Sequence, residues 1–312
     1  MHLAKQRLRL AETFRNLFYT PIYVAVGGGF LYREGLDVLL ETAPAGRPAI
    51  DLLKSGAADI LQTGISRSLM DLDDGNEDAP LHIAEINSRD GFFLVSRRPV
   101  EGWRWTDIEG ARLIPVGFTP VPWTSLRAAL LARGVDLSKV TLIQGLSAED
   151  ALDRFRAGDA DYIHMPNPQA QQLVEDGAGQ VAAALGPELG HICYSSFAVT
   201  PRYLEGNAET LQRFTRGFYR AQQWLVASEP ATVAETVAGF FPGVAHTVLE
   251  RSIERYAAQE TWALDPLIRE DAFVAMRDVL VEGGLVRGRH TYERLVRPEL
   301  ALEAMGRGAA HD

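Results

Sequence analysis

The chain has a single cysteine among its 312 residues, Cys193, so no intramolecular disulfide is possible. Its seven histidines are scattered, with no HExxH and no CxxC spacing; no metal, cofactor or catalytic set follows from them. A lone cysteine of this kind reads as a small buried apolar residue rather than a nucleophile. Long apolar runs are missing as well, and nothing approaches the roughly 18 consecutive residues of a transmembrane segment. Nor is there an excess of basic residues. The formal net charge is -10, which repels phosphate backbones and argues against a nucleic-acid partner, while leaving the local sign of a pocket open. Met1-His2-Leu3-Ala4-Lys5-Gln6-Arg7-Leu8-Arg9-Leu10 is basic but is followed by no apolar h-region and no small-residue cleavage site. On that reading the sequence as given shows no recognisable export signal, and the chain is cytoplasmic if this start is genuine. No repeat of fixed period and no low-complexity segment is visible.

What remains is a composition of 46% hydrophobic and 23% charged residues, long enough for two lobes with separate cores. Short apolar runs alternate with helical patterns through the first half, the signature of βαβ units. Strands are expected over 8–11, 36–41, 58–62, 81–86, 92–96, 113–116, 140–143, 160–164 and 193–200. Helices are expected over 21–30, stopped at Gly27-Gly28-Gly29, and over 49–55, 67–71 and 148–156, with one more capped by Thr124 and running to Arg133. The acidic stretch 71–79 reads as a solvated turn. From Asn207 onward the pattern is helical, over 208–227, 231–240, 244–256 and 271–282, punctuated by Pro230, Pro242, Pro266 and Gly283-Gly284. The triple glycine lacks the full G-x-G-x-x-G and follows a helix rather than a strand, so it is no dinucleotide loop.

Several passages, in order, resemble one family. Tyr19-Thr20-Pro21-Ile22-Tyr23-Val24-Ala25 is similar to its early loop and helix, and Gly29-Phe30-Leu31-Tyr32-Arg33-Glu34-Gly35-Leu36-Asp37-Val38 to its "G-[YF]-F-x-x-x-G-L-D-V" element. Leu52-Leu53-Lys54-Ser55-Gly56-Ala57-Ala58-Asp59-Ile60 matches "L-x-x-G-x-A-D-[IV]". In the middle of the chain Gly134-Val135-Asp136-Leu137 and Ala157-Gly158-Asp159-Ala160-Asp161 repeat that logic, and Phe197-Ala198-Val199-Thr200 resembles the return strand. Together they resemble the NMT1/THI5-like (SsuA-type) branch of type II periplasmic binding proteins, which includes substrate-binding subunits of sulfonate, nitrate and pyrimidine ABC importers. The resemblance implies an α/β fold: a two-lobed clamshell with a ligand cleft between the lobes and extra C-terminal helices. Lobe one would hold 1–95 plus 196–312, and lobe two 96–195. It also implies a hinge motion, an ABC permease as partner and a periplasmic location.

Ligands of such folds sit at the carboxyl ends of strands, which selects four loops and the hinge as ligand-binding candidates. Asn16, Phe18 and Tyr19 follow the first strand, where a ring can stack on a flat ligand or serve the core. Thr63, Gly64 and Ser66 open a helix, where backbone N–H groups hold an anion or Ser66 caps the helix. Phe118, Thr119, Trp123 and Thr124 stand where the family usually has a Gly/Ser/Thr-rich turn. The prolines at 120 and 122 remove donors there, which favours a more apolar or aromatic ligand. Asn167 replaces the charge of the family's frequent Glu-Pro pair with an amide that both donates and accepts. Near the hinge stand Asn87, Arg89, Tyr194 and Ser195, with Arg89 either clamping a carboxylate or forming a surface ion pair. Glu260 and Trp262 are further candidates from the C-terminal helices. His164 and His191 are the nearest acid/base residues, and neither has a nameable partner.

The leading expectation is therefore a solute-binding protein that captures a small organic molecule, aromatic or carboxylate-bearing, for an ABC-type importer. The alternative is a cytoplasmic enzyme or ligand sensor on the same fold, acting on a small aromatic or pyrimidine-like metabolite. The Cys-rich motif of the family's thiamine-precursor synthases is missing from this chain.

Overall fold

The computed structural model describes residues 5–44 and 48–306, so the first four residues of the leader reading lie outside the described residues. Ten strands form two mixed sheets. The first contains β1 (Gln6–Glu12), β2 (Leu36–Thr42), β3 (Ile60–Thr63), β4 (Leu81–Asn87) and β10 (Ser195–Val199), in the order β2-β1-β3-β10-β4. The second contains β5 (Phe92–Ser96), β6 (Arg112–Ile114), β7 (Thr141–Leu142), β8 (Tyr162–Pro166) and β9 (Gln180–Ala184), in the order β7-β6-β8-β5-β9. Within each sheet the strands joined by βαβ crossovers are parallel, and the strands next to the sheet-to-sheet crossings, β10 and β5, run antiparallel to their neighbours. The chain passes from the first sheet to the second between Asn87 and Phe92 and returns between Ala184 and Ser195. The divide expected after residue 95 therefore falls inside β5.

Glycines sit where helices hand over to strands. Gly35 (φ 81°) and Gly56 (φ 73°) take the left-handed turn that a side chain would strain. Leu211, Phe214, Phe218, Ala221 and Leu225 recur at helical spacing and bury one face of the helix Ala208–Ala227. Phe214 and Phe218 meet Phe197 of β10 edge-on, with ring centroids 4.9 and 4.8 Å apart. The C-terminal helices thus pack on the first sheet, while a separate apolar cluster of Leu94, Ile108, Leu113, Leu126, Leu130 and Tyr162 fills one face of the second.

Several elements differ from the sequence expectation, among them the unanticipated helices Gln169–Glu175 and Leu185–Leu189; two of the differences concern the second sheet. The helix expected to open at Thr124 opens at Pro120 and runs to Ala132. Pro120 and Pro122 occupy its first turn, where proline's missing N–H costs nothing and its fixed φ suits the helix. Thr124 is accordingly not a cap: its hydroxyl donates to the Pro120 carbonyl at 3.1 Å. The second difference is β9, Gln180–Ala184, which the sequence reading passed over. Its alanines carry little strand propensity, and the segment is a strand because β5 offers it a partner edge. No helix among the described residues is long and apolar enough to cross a membrane.

Candidate functional site

A cavity of about 490 Å³ opens between the two sheets. The first sheet contributes Thr13 and Phe14, just past β1, Gln62 and Thr63 at the end of β3, and Gly64, Ser66 and Arg67 at the start of the helix Ile65–Asp73. The second contributes Phe92 of β5, and Phe118, Thr119, Val121 and Pro122 from the loop and helix after β6. Tyr194 and Ser195 close it at the return crossing. The volume and the largely apolar lining suit a small organic ligand.

Aromatic rings form the wall. Phe14 meets Tyr19 edge-on at 5.4 Å and Phe118 at 5.6 Å, so Phe14 and Phe118 touch across the mouth from opposite sheets. Phe118 is 42% exposed, an unusual position for a large apolar ring and one fitted to cover something beneath it. The Gln62 side chain holds the loop behind this wall, its Oε1 accepting from the Thr13 backbone N–H at 3.0 Å and the Thr13 hydroxyl at 2.8 Å.

Polarity comes from helix ends and one cation. The helices Ile65–Asp73 and Pro120–Ala132 both begin at the cavity, and neither N-cap, Gly64 or Thr119, satisfies the first turn with a side-chain hydrogen bond. The N–H groups at the start of Ile65–Asp73 and its positive dipole end favour an anion, whereas Pro120 and Pro122 leave the other helix start with few donors. Arg67 is the one charged side chain among the described lining residues, and it forms no ion pair among the described residues. A chain of net charge -10 thus presents a locally positive cavity.

Of the residues that the sequence singled out, the structure brings Tyr19, Thr63, Gly64, Ser66, Phe118, Thr119, Tyr194 and Ser195 together around this cavity. The other seven lie outside its lining. Asn16 is buried as the cap of the turn Leu17–Tyr19, its Oδ1 accepting from the Phe18 N–H at 2.9 Å. Phe18 is a core ring packed on Tyr194 at 5.1 Å. Asn87 donates to the Phe18 carbonyl at 2.7 Å and accepts from the Ser195 hydroxyl, a bracing role at the crossing. Arg89 pairs with Glu260, which satisfies its charge away from the cavity. Trp123 is half-buried against the second sheet's core and lines a separate recess beside Phe118 and Thr119. Thr124 lies within the helix and caps nothing. Asn167 is fully buried, its N–H donating to the Tyr256 hydroxyl at 2.9 Å and its Oδ1 accepting from the Gln171 N–H at 3.0 Å. Trp262 likewise serves the hinge, donating to the Phe18 carbonyl at 3.0 Å.

Sequence reading missed Phe14, Gln62, Arg67 and Phe92. Arg67 had a signal, since it lies one residue past Ser66 in a loop already singled out. The described histidines stay out of the cavity. His164 is buried against Phe92, ring centroids 5.2 Å apart, and burial pushes its pKa down to about 3, which keeps it neutral. His191 sits 3.3 Å from the buried Glu85, whose hydrogen bond holds the imidazolium form up. Cys193 is buried, which pushes its thiol well above the ordinary range. No cluster of residues among those described has the makings of a metal site.

Two sheets joined by two crossings, with a cavity between them, define the periplasmic-binding-protein clamshell. The family model described as NMT1/THI5 like matches residues 16–232, and the chain belongs to that family. Among curated proteins it is 29% identical to "Putative binding protein YtlA" of Bacillus subtilis (strain 168), over 95% of this chain and 89% of that one. Among solved structures, the periplasmic aliphatic sulphonate binding protein SsuA from Escherichia coli superposes with a TM-score of 0.75 at 16% identity, covering 95% of this chain and 99% of that one. The desulfurization enzyme DSZB, solved in complex with biphenyl-2-sulfinic acid, superposes with a TM-score of 0.71 at 15% identity, covering 97% of this chain and 99% of that one. At such identities these structures establish the fold, which carries a binder in one case and an enzyme in the other.

Proposed function

We propose that this chain is a solute-binding protein that captures a small organic anion with a flat, apolar body in the cleft between its lobes, for delivery to an ABC-type permease. The observation that carries the reading is the uncapped start of the helix Ile65–Asp73 and Arg67, which has no ion-pair partner among the described residues, beside an aromatic wall around one cavity. The acid group, a sulfonate or a carboxylate, sits at Gly64, Ser66 and Arg67, and the body lies against Phe14, Tyr19, Phe92 and Phe118. The names of the two neighbouring structures support this choice, one an aliphatic sulphonate binder and the other bound to an aromatic sulfinic acid. Relatives that are periplasmic by name support the same location for this chain. Closing the lobes on the ligand brings Phe118 and Thr119 onto it and expels water, which strengthens the contact with the acid.

Binding is preferred to catalysis because no general base stands among the described lining residues to activate the cavity's Ser and Thr hydroxyls: the one thiol is buried, and neither His164 nor His191 lines it. Native mass spectrometry of freshly purified protein, followed by calorimetry with benzenesulfonate and benzoate, tests the reading. Arg67→Ala is expected to weaken the better of these probes by roughly 10- to 100-fold. Unchanged affinity in that variant, or release of a chemically altered probe after incubation, refutes it.

A further inference from the structure

The anion end of the cavity occupies only one flank of β3. In the first sheet β3 lies between β1 and β10. Gly64 is on the β10 side, where a Cβ built on it meets the Tyr194 carbonyl oxygen at 3.1 Å. Gln62, two residues earlier, reaches to the β1 side instead. Its Oε1 accepts from the Thr13 backbone N–H at 3.0 Å and from the Thr13 hydroxyl at 2.8 Å, and both residues line the cavity. A backbone N–H only donates, so the amide oxygen has to face Thr13 and the NH2 group has to face away from it. The residue as a whole is buried. Its Nε2 has no hydrogen-bond partner among the described residues, yet it is not one of their sealed polar atoms, so it is open to the cavity that the residue lines. An amide N–H in that position loses its water when a ligand enters and has to be matched by the ligand.

We propose that Gln62 is a specificity-determining residue that donates a hydrogen bond to an uncharged acceptor, such as an ether, carbonyl or ring-nitrogen atom, carried by the ligand in addition to its acid. This deepens the anion-binding reading and rests on it. The two bonds from Thr13 hold the donor in one direction before the ligand arrives, so little ordering is left to be done on binding. Tyr19, on the same wall, stays protonated because burial pushes its pKa up, and it sets no negative charge against the amide. A ligand that is wholly apolar at this end leaves the N–H unpaired and forfeits about tenfold in affinity.

Calorimetry at pH 9 with benzenesulfonate, the three methoxybenzenesulfonates and the three ethylbenzenesulfonates tests this. Each methoxy and ethyl pair has nearly one shape and differs by an ether oxygen in place of a CH2 group. At least one methoxy isomer is expected to bind about tenfold more tightly than its ethyl counterpart. Gln62→Met, similar in length but without the amide, is expected to bring that ratio to about one. Gln62→Glu keeps an oxygen for Thr13 and puts a second acceptor where the donor was. In it the methoxy isomer is expected to bind less tightly than the ethyl one, a reversal that mere loosening of the wall does not produce. The proposal is overturned if Gln62→Met or Gln62→Glu keeps the methoxy gain. It is also overturned if Gln62→Met weakens benzenesulfonate as much as the methoxy probe, which assigns the amide to the acid group. Failure of benzenesulfonate and every substituted probe to bind overturns the anion reading and this proposal with it. Binding of benzenesulfonate with no gain from any methoxy group overturns the Gln62 contact alone.

Discussion

Gly91→Ala is the sharpest perturbation of the hinge. Gly91 sits on the first crossing between the sheets, and a Cβ built on it lies 2.2 Å from Phe18 Cδ2, 2.3 Å from Cε2 and 2.9 Å from Cγ. Ordinary contact begins at about 3.4 Å, so the ring has to retreat by about 1 Å. It has nowhere to go. Phe18 is fully buried, with ring centroids of Tyr19, Phe92, Tyr194 and Tyr256 between 5.1 and 6.0 Å away, and its carbonyl is held by both Asn87 and Trp262. Overpacking a site this constrained costs about 1–3 kcal/mol. Three of the four neighbouring rings, Tyr19, Phe92 and Tyr194, line the cavity, so the displacement reaches the ligand wall. Urea titration is expected to show that loss, and calorimetry with the bound probe a drop in affinity of about tenfold. Gly239→Ala is the control, since its Cβ meets nothing within 4 Å. Stability within about 0.5 kcal/mol of the parent, together with unchanged affinity, refutes the packing argument.

Arg89→Ala is expected to leave probe affinity within about twofold, because Arg89 is already paired with Glu260 outside the cavity; calorimetry decides. Phe118→Ala removes a ring contact worth about 0.5–1.5 kcal/mol, and stopped-flow dissociation is expected to quicken by roughly 2- to 10-fold. Burial raises Asp90 from 3.8 to about 7, so its contribution to stability is fully present below pH 3.8 and is lost as pH rises through 7. Asp90→Asn removes that loss, and its unfolding free energy from urea titration, relative to the parent, is expected to improve between pH 5 and pH 8 by at most about 3 kcal/mol; an equal difference at both pH values refutes the assignment. The Cys193 thiol is expected to react with a thiol reagent only after denaturation, and rapid labelling of the native protein contradicts its burial.

The alternation of apolar runs and helical patterns carried the α/β class, the ordered Gly-Leu-Asp and Gly-x-Ala-Asp elements carried the family, and the rule that ligands sit past strand ends pointed to three loops that line the cavity. These are local or topological signals that one chain contains by itself. Position along a loop does not fix which side chain turns inward, and that was decided by packing. Arg67 and Arg89 are equivalent cations in sequence, yet Glu260, 171 residues further along, claims Arg89, while Arg67 stands beside a helix start with no ion-pair partner among the described residues. Pro120 starts its helix one turn before the expected cap, which places Trp123 and Thr124 within the helix rather than at its cap, and both lie outside the cavity lining. The alanines of β9 became a strand only when β5 supplied an edge. Cavity, charge and the direction of the Gln62 amide all depend on contacts between residues far apart in the chain, so the tertiary structure, not the sequence, determined where a ligand can be held.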